Sequence, residues 1–365
     1  MHLVLFIVVA AGCLSGFILF RKQSMPKAKV SEVKQQKLSV IIPARNEEKN
    51  LPYLLTSLKA QTYRPFEIIV VDDFSEDQTK SIAESFGVTV VESTPLPKGW
   101  TGKTWALWTG YKAAAGDIFA FLDADIRLEP DALASLLKTR ENTGGVISVI
   151  PYHYTEKFYE RFALITNFLG IFAFMSPFEK RNPKKGLYGA CILATRKDYE
   201  TISGHEHIKS EVLDDLNLGA KFREAGIKVS NYIGHGLVSF RMYPNGMRSE
   251  VQGFGKGAVL STATLRFPTV LLIAIWVIGL LLSESALIFF MTPWAIPLAI
   301  GYLLYMFQLF YFIRYVGRFG IIMPILHILS ACFFIFIMLY SAYQVVFLRR
   351  VTWKGRHIDV GGKKT

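Results

Sequence analysis

Residues 117–125 read Asp-Ile-Phe-Ala-Phe-Leu-Asp-Ala-Asp, an apolar run that ends in two aspartates, Asp123 and Asp125. The short apolar run at 118–122 predicts a buried strand. The carboxyl edge of a parallel sheet is where open α/β folds bind their ligands. Two carboxylates there would provide the oxygen ligands that Mg²⁺ or Mn²⁺ prefers, and such a cation binds a diphosphate. The motif alone is weak evidence, because aspartate is also common in surface turns.

The chain before this motif alternates between strand and helix patterns. Apolar runs at 38–43, 67–71 and 88–91 predict three further strands. Helices are expected after Asn46, which can cap the first of them, and at about 76–86 and 105–115. The buried face of the first helix is predicted to carry Leu51, Leu54, Leu55 and Leu58. This spacing is typical of βαβ crossovers in a parallel sheet.

Two parts of the chain are apolar enough to enter a membrane. Residues 3–20 carry no charge, and residues 267–348 are almost uncharged apart from Glu284 and the basic patch at 314–318. About 20 apolar residues span a bilayer as a helix. We interpret 1–22 as an uncleaved transmembrane anchor rather than a signal peptide, because its basic residues follow the apolar run. The positive-inside rule then predicts a multi-pass protein of the cell membrane with a cytoplasmic catalytic domain.

Residues 162–178 form another apolar segment. A crossing there would separate Asp123 from residues 180–265, so we expect a helix that lies in the membrane interface. The C-terminal region, 267–348, shows three hydrophobic elements near 268–290, 294–313 and 320–348. Three crossings would leave the basic tail, 349–365, outside the cell, contrary to the charge rule. Either one element is re-entrant or the last one contains a hairpin.

The chain contains 41 Lys and Arg against 29 Asp and Glu, a formal net charge of +12. Anionic lipid, phosphorylated substrate and nucleic acid are the partners that such a charge attracts. The basic residues cluster beside the apolar segments, at 21–37 and 349–364, which favours the lipid surface. No nucleic-acid-binding module is predicted. The three cysteines are far apart and show neither a disulfide framework nor zinc spacing.

Several motifs, in order, resemble those of the family 2 glycosyltransferases, which are inverting enzymes of the GT-A fold. They are Ile-Ile-Pro-Ala-Arg-Asn-Glu-Glu at 41–48, Val-Asp-Asp-Phe-Ser-Glu-Asp-Gln-Thr at 71–79, Gly-Lys-Thr-Trp-Ala at 102–106 followed by Gly110, Phe-Leu-Asp-Ala-Asp at 121–125, and Gly204 followed by Asp-Asp-Leu-Asn-Leu-Gly at 214–219 and Gly226. The resemblance implies an α/β fold, a GT-A nucleotide-sugar-binding domain with a mostly parallel sheet at 37–262. Residues 37–130 would form its nucleotide-sugar half and 131–262 its acceptor half, with transmembrane helices at both ends of the chain.

The resemblance also implies roles for individual residues. The nucleotide sugar would be bound by Pro43, Arg45, Glu47, Asp73, Lys103 and Asp123. A divalent cation, Mg²⁺ or Mn²⁺, would be held by Asp125 with Asp123 near its ligand shell. From the residues alone, Lys103 could equally be a solvated lysine, and Arg45 and Glu47 could equally serve the start of a helix.

The acidic pair Asp214 and Asp215 provides the predicted catalytic residues. Inversion with a hydroxyl acceptor needs a carboxylate base within hydrogen-bond reach. Adjacent helical residues face different directions. One of the two aspartates is therefore expected to orient a neighbouring group or to cap the helix. The nearby His205 and His207 are interpreted as solvated loop histidines rather than metal ligands.

Four residues are assigned to the acceptor region: Tyr152, His153, Gln252 and Phe254. The segment Gln-Gly-Phe-Gly-Lys at 252–256 only loosely resembles the Gln-x-x-Arg-Trp motif of the family. Because the Arg-Trp pair is missing, a polymer acceptor is not expected.

A narrower resemblance spans nearly the whole chain. It rests on the 41–48 motif, Val-Ile-Pro-Tyr-His at 149–153, Phe-Arg-Met-Tyr at 240–243 and Trp-Lys-Gly-Arg at 353–356. These are similar to the family 2 enzymes that act on a C30 carotenoid acid, 4,4'-diaponeurosporenoate. The resemblance implies transfer of glucose from UDP-glucose to the acid's carboxyl group, which gives a glucosyl ester. The implied partners are a UDP-sugar, a lipophilic acceptor in the bilayer and other carotenoid-pathway enzymes.

Other functions stay open at this point. The acceptor could be another membrane lipid, such as a diacylglycerol, a hopanoid or a polyprenyl phosphate. The chain could also be a non-enzymatic membrane scaffold that retains a nucleotide-binding sheet. A transporter is disfavoured, because Glu284 is the only clear acidic residue in the apolar regions.

Overall fold

The computed structural model describes residues 2–211, 213–257, 264–348, 350–353 and 356–359. The chain divides into two compact units. We call Gln23–Tyr152 with Pro183–Met242 the sheet unit, and Met1–Lys22, His153–Asn182 and Tyr243–Thr365 the helical unit. The domain boundaries expected from the sequence stay predictions. The tail motif at 353–356 lies partly outside the described residues, as does most of the basic tail.

The strands are short and occur mainly in the sheet unit. They are β1 (Leu38–Ala44), β2 (Glu67–Asp72), β3 (Thr89–Glu92), β4 (Ile118–Leu122), β5 (Ile126–Leu128), β6 (Val146–Ile150), β7 (Tyr152–Tyr154), β8 (Cys191–Thr195), β9 (Val229–Ile233), β10 (Val238–Phe240), β11 (Gly317–Arg318), β12 (Arg350–Trp353) and β13 (Arg356–Asp359).

The helices are of ordinary length in the sheet unit and longer in the helical unit. They are α1 (His2–Leu19), α2 (Leu51–Lys59), α3 (Thr79–Ser85), α4 (Gly102–Ala113), α5 (Ala132–Thr143), α6 (Leu164–Met175), α7 (Arg196–Thr201), α8 (Asp214–Glu224), α9 (Met247–Gly257), α10 (Phe267–Glu284), α11 (Ala295–Val316), α12 (Ile322–Ile325) and α13 (His327–Tyr343).

The sheet unit is organised around a seven-stranded sheet with the order β3-β2-β1-β4-β8-β6-β9. Strand β1 pairs in parallel with β2 and β4, and β2 with β3 and β6 with β9 are also parallel. Only β8 runs against its neighbours, β4 and β6. This confirms the mostly parallel sheet. Strands β5 and β10 pair in antiparallel fashion within a second sheet.

Helix α2 packs against this sheet through the predicted leucine face. Leu51, Leu54, Leu55 and Leu58 are all fully buried. The predicted cap at Asn46 is wrong, because the helix begins only at Leu51 and Asn50 holds the cap position. Asn46 instead adopts a left-handed backbone with φ of 54°, and its side-chain oxygen accepts the N–H of Glu76 at 2.8 Å.

Helix α4 lies close to β1 and β2 because Gly110 has no side chain. A Cβ atom at this position would lie 2.5 Å from Cγ2 of Ile41 and 2.9 Å from Cγ2 of Val71. Both distances are far inside van der Waals contact. Any larger residue at 110 would therefore push the helix away from the sheet edge that its first turn approaches.

The long helices of the helical unit run alternately up and down. Ser15 of α1 donates its hydroxyl to the carbonyl of Leu272 in α10 at 3.1 Å, while Gly12 faces Gly279, one to two turns further along α10. Helices α1 and α10 are therefore antiparallel. Cys13 accepts a hydrogen bond from Gln308 of α11 at 2.6 Å, and Phe20 packs on Phe312 at 4.4 Å between ring centroids. Helix α1 therefore runs parallel to α11.

Helix α13 begins beside the far end of α10. His327 Nδ1 hydrogen-bonds to the Glu284 carboxylate, and the ring stacks on Tyr302 at 4.2 Å. The chain arrives there from Gly317, which pairs with His153 in a short β-bridge at the end of α11. It then returns along α13 to Tyr340, which packs against Gly255 of α9. The segment 320–348 thus contains the short helix α12 and one long helix.

Four helical segments are long and apolar enough to span a membrane: Tyr159–Arg181, Phe267–Glu284, Ala295–Val316 and His327–Leu348. A shorter apolar helix covers Leu3–Leu19. These segments indicate that the protein associates with a membrane. Tyr159–Arg181 is 56% buried inside the protein, against 28–33% for the other three, so much of it contacts protein. The interfacial position expected for 162–178 stays a prediction.

The helical unit contains a pair of buried carboxylates that influence each other. Glu250 of α9 and Glu160, in the 3-10 helix that precedes α6, are each 1% exposed. Glu160 accepts the backbone N–H groups of Glu156 at 2.7 Å and Lys157 at 3.2 Å. Burial, with the added repulsion of Glu160, raises the pKa of Glu250 to about 8.

We therefore predict a pH-dependent stability that depends on Glu250. The folded protein keeps this proton up to about pH 8, whereas the unfolded chain loses it near its ordinary pKa of about 4.5. The stabilisation is thus complete below the unfolded pKa and is lost as pH rises through the folded one. Glu250→Gln should raise the melting temperature at pH 8.5 by several degrees and leave it nearly unchanged at pH 5.

Differential scanning fluorimetry of the detergent-solubilised protein between pH 5 and 9 measures this. Glu84→Gln is the control, since Glu84 is an exposed side chain of α3. Equal pH slopes for the wild type and Glu250→Gln would contradict the assignment.

Candidate active site

The ends of β1 and β2 bring the first two motifs together. The backbone N–H of Asp73 donates to the carbonyl of Ala44 at 2.8 Å, and Arg45 donates an Nη1–H to the carbonyl of Asp73 at 2.9 Å. Asp73 is 5% exposed. Pro43 is half-buried at the end of β1. The predicted nucleotide-binding residues Pro43, Arg45 and Asp73 therefore share one edge of the sheet.

Glu47 lies in the loop that joins β1 to α2. Its N–H donates to the Thr79 hydroxyl at 2.7 Å, and its carboxylate accepts from the Asn50 side chain at 2.9 Å. The loop is thus tied to the start of α3. The Glu47 backbone carbonyl accepts the N–H of Leu51, the first residue of α2, at 2.9 Å.

The first turn of α4 carries Lys103 to the Asp-x-Asp motif. Thr101 caps the helix by accepting the Thr104 N–H at 3.4 Å. Lys103 Nζ lies 2.7 Å from Oδ1 of Asp123. Burial opposes the charge on Lys103, but the carboxylates of Asp123, Asp214 and Asp215 outweigh it and raise the pKa of Lys103 above its ordinary value. Lys103 is therefore a charged member of the site and not a solvated lysine.

Asp123 and Asp125 follow β4 directly, as the sequence predicts. The Asp123 N–H donates to the carbonyl of Ala190 at 3.0 Å, and the Asp125 carbonyl accepts the Arg241 N–H at 3.3 Å. Each aspartate is thus fixed through its backbone. The Asp123 side chain is 32% exposed, so a ligand can reach it.

Asp214 and Asp215 form the first turn of α8, where the helix dipole stabilises negative charge. Asp214 is 7% exposed. The two oxygens of Asp215 accept the backbone N–H groups of Gly189 and Leu216, both at 3.0 Å. Both aspartates raise the pKa of Lys103, so the acidic pair and the Asp-x-Asp motif belong to one electrostatic site.

The loop Gly186–Ala190 lies between these two acidic motifs and was not predicted from the sequence. Its residue Tyr188 is half-buried. Burial, with the nearby charges of Asp125, Asp215 and Asp123, raises the pKa of the Tyr188 phenol above its ordinary value. In the sequence, two glycines just before an apolar strand, Gly186 and Gly189, could have indicated this loop.

The interpretation of His205 as a solvated loop residue is wrong. His205 is 1% exposed, and its Nδ1 hydrogen-bonds to the Tyr199 hydroxyl at 2.7 Å. Burial lowers its pKa to about 4, although Asp214 acts in the opposite direction. A neutral, packed imidazole supports the turn before α8. His207 is exposed, as expected.

The four predicted acceptor residues belong to different units. Tyr152 ends the first part of the sheet unit and packs on His235 at 5.3 Å between ring centroids. His153, Gln252 and Phe254 belong to the helical unit. His153 is 1% exposed and hydrogen-bonded to Asn167, and burial lowers its pKa to about 4.

The donor set at the Asp-x-Asp motif fits a cation that is completed by its substrate. Asp123 and Asp125 provide carboxylate oxygens, the ligands that Mg²⁺ and Mn²⁺ prefer. Within the described ranges, no group of three or more His, Cys, Asp or Glu residues could hold a metal by itself. A cation here would therefore need phosphate and water oxygens as well, which is the usual habit of Mg²⁺.

Residues 39–203 match the model of glycosyl transferase family 2. The chain is 33% identical to a 4,4'-diaponeurosporenoate glycosyltransferase of Staphylococcus haemolyticus over 95% of this chain and 96% of the relative. It is 30% identical to the protein of the same name from Staphylococcus aureus, over 98% and 97%. These matches confirm both resemblances drawn from the motifs.

The fold has a counterpart among solved structures. Mannosyltransferase PcManGT from Pyrobaculum calidifontis, in complex with GDP-Man and Mn²⁺, aligns with 96% of this chain and 100% of its own. The TM-score is 0.53 and the identity 17%, so this likeness concerns the fold alone. The family match and the near full-length relatives favour an enzyme over a scaffold. The chain belongs to glycosyl transferase family 2 and is a hexosyltransferase with a GT-A fold.

Proposed function

We propose that the protein transfers glucose from UDP-glucose to the carboxyl group of a C30 carotenoid acid, 4,4'-diaponeurosporenoate, at a membrane. The observation that carries this proposal is the near full-length similarity to two relatives that bear the name of this acceptor. The apolar helices support it, because a C30 acid is soluble only in lipid. The ordered acidic site supports a glycosyl transfer at the sheet edge.

The donor half of the proposed site is formed by the edge of β1, β2 and β4. Asp73, buried and tied to Ala44, is suited to accept the N–H of a uracil base. Arg45 and Glu47 lie in the loop beside it and are proposed to contact the nucleoside. The surrounding carboxylates keep Lys103 charged. Lys103 is therefore suited to contact the diphosphate when Asp123, its present partner, also binds the cation.

Asp125 and Asp123 are proposed to hold a divalent cation, Mg²⁺ or Mn²⁺, together with the diphosphate. When bound, such a cation neutralises charge on the leaving diphosphate. The residues of this chain provide the remaining support: Lys103 as a cation, and the backbone contacts that fix each aspartate.

The proposed acceptor makes the chemistry simple. A carboxylate oxygen attacks the anomeric carbon on the face opposite to UDP, and the electrons of the breaking C–O bond pass to the diphosphate. The carboxylic acid is already ionised at neutral pH, so no proton has to be removed. The acidic pair Asp214 and Asp215 can therefore contribute by position and charge.

Asp125→Asn tests the cation site. Loss of one carboxylate charge should weaken cation binding and reduce turnover of UDP-glucose by at least about 100-fold. UDP release by the purified protein in lipid, with Mn²⁺ titrated from micromolar to millimolar concentration, measures both effects. Asp117→Asn is the control, since Asp117 is exposed at the opposite end of β4. Full activity of the wild type in excess chelator would contradict the proposal.

Product analysis tests the acceptor. We expect purified protein with UDP-glucose and 4,4'-diaponeurosporenoate to give a coloured glucosyl ester that mild alkali cleaves. Mass spectrometry of lipid extracts from membranes with and without the protein identifies the product. An alkali-stable glycoside of a colourless lipid would instead identify another acceptor class, such as a diacylglycerol or a hopanoid.

We further propose a membrane topology in which the sheet unit and residues 350–353 and 356–359 lie on the cytoplasmic side. The alternating directions of α1, α10 and α11 support three crossings. The stretch 317–326 re-enters the membrane from the side on which α11 ends. Helix α13 then returns to that same side. The basic residues Arg21 and Lys22 then lie inside, as the positive-inside rule requires.

Cysteine labelling in intact cells tests this topology. In a Cys332→Ser background, we expect a membrane-impermeant maleimide to label Met291→Cys in intact cells, because Met291 is 85% exposed between α10 and α11. Arg350→Cys should react only after permeabilisation. Glu206→Cys, in an exposed position of the sheet unit, is the cytoplasmic control. Labelling of Arg350→Cys in intact cells would overturn the re-entrant assignment.

A further inference from the structure

We propose that Asp215 is a positioning residue that holds the loop Gly186–Ala190 against the metal motif, and that the transfer proceeds without a protein base. The inference rests on the proposed carboxylate acceptor. It assigns to Asp215 a role different from that of the base that a hydroxyl acceptor would require.

Asp215 is bonded to the loop at two points. Its Oδ2 accepts the Gly189 N–H at 3.0 Å, and its backbone carbonyl accepts the Leu187 N–H at 3.2 Å. The other carboxylate oxygen, Oδ1, accepts the N–H of Leu216 at 3.0 Å. Both oxygens of the carboxylate thus receive backbone donors. These bonds orient the carboxylate toward the loop and the helix backbone, as expected of a positioning group.

The loop can approach Asp215 this closely because position 189 is glycine. A Cβ atom on Gly189 would lie 3.0 Å from Oδ2 of Asp215 and 3.2 Å from its Cγ. On the next turn of α8, a Cβ on Gly219 would lie 2.6 Å from the backbone nitrogen of Leu187. Two glycines on opposite sides of the contact therefore allow helix and loop to meet backbone to backbone.

The other side of the loop is fixed by two buried polar side chains. The Tyr188 N–H donates to the Ser148 hydroxyl at 3.0 Å, and Ser148 donates in turn to Asn231 at 2.7 Å. Asn231 donates to the carbonyl of Gly186 at 3.2 Å. Ser148 and Asn231 are 0% and 2% exposed. Such a satisfied buried network keeps the loop in one conformation.

The loop ends at the metal motif. The carbonyl of Ala190, one residue after the glycine that Asp215 binds, accepts the N–H of Asp123 at 3.0 Å. Displacement of Gly189 must therefore shift the backbone that places Asp123. Asp215 acts on the donor site through this connection.

The expected chemistry differs from that of a base-dependent transferase. A hydroxyl acceptor must lose its proton to a protein group, whereas a carboxylate forms the ester C–O bond with nothing to deprotonate. Asp215 raises the pKa values of Lys103 on α4 and of Tyr188 on the loop. Asp214 is its neighbour on α8. None of them has to exchange a proton during the transfer.

The experiment compares Asp215→Asn, Gly189→Ala and the double variant in the full-length protein. UDP affinity in the presence of Mn²⁺ is measured by calorimetry, and glucosyl ester formation is followed between pH 6 and 8.5. Each single variant should weaken UDP binding by about tenfold, as expected for a residue that orients a ligand-binding group. The double variant should be no worse. Glu224→Gln, at the exposed end of α8, should bind UDP like the wild type.

The wild-type rate should vary less than threefold across this pH range, and the variants should keep the same profile. Unchanged UDP affinity in Asp215→Asn, with ester formation abolished, would overturn the proposal. A wild-type rate that rises about tenfold per pH unit between 6 and 8 would also overturn it, even if neither variant folds. If the acceptor proposal alone fails, the product is alkali-stable while the UDP-affinity result still stands.

Discussion

The structure depends on the concentration of negative charge at one edge of a sheet. Asp123, Asp125, Asp214 and Asp215 act on the same group of neighbours, which is visible in the raised pKa values of Lys103 and Tyr188. Such a cluster repels itself unless cations or dipoles compensate for it. Lys103 provides one positive charge, and the start of α8 provides a helix dipole. The remaining negative charge makes this edge suited to a divalent cation that arrives with a diphosphate.

Much of this edge could be predicted from the sequence. The strand predicted at 118–122 has the same bounds in the structure, and the one at 38–43 differs by a single residue. Both runs are mainly apolar, as expected of strands that are buried on both faces. Strand β4 determines the position of Asp123, which follows it directly. The ordered motifs then identified the family without any knowledge of contacts.

The failures have a common physical cause. Asparagine is a common helix cap, but the Asn46 side chain accepts a hydrogen bond from the backbone N–H of Glu76, a residue 30 positions away. His205 lies among polar residues in the sequence, yet it is packed against Tyr199 and Phe121. The loop at Gly186–Ala190 is held by Ser148, Asp215 and Asn231, which come from three different elements. Local patterns carry no information about such long-range partners.

The pairing of Glu284 with His327 has a consequence for how the chain is made. The carboxylate sits at the end of α10, and its partner is synthesised 43 residues later, after the whole of α11. An acidic side chain without a partner is costly within a bilayer. In the proposed membrane topology, the Glu284 carboxylate therefore lacks this partner until α13 has been made. In that topology, the last helix provides the contact that compensates the buried charge of the earlier one.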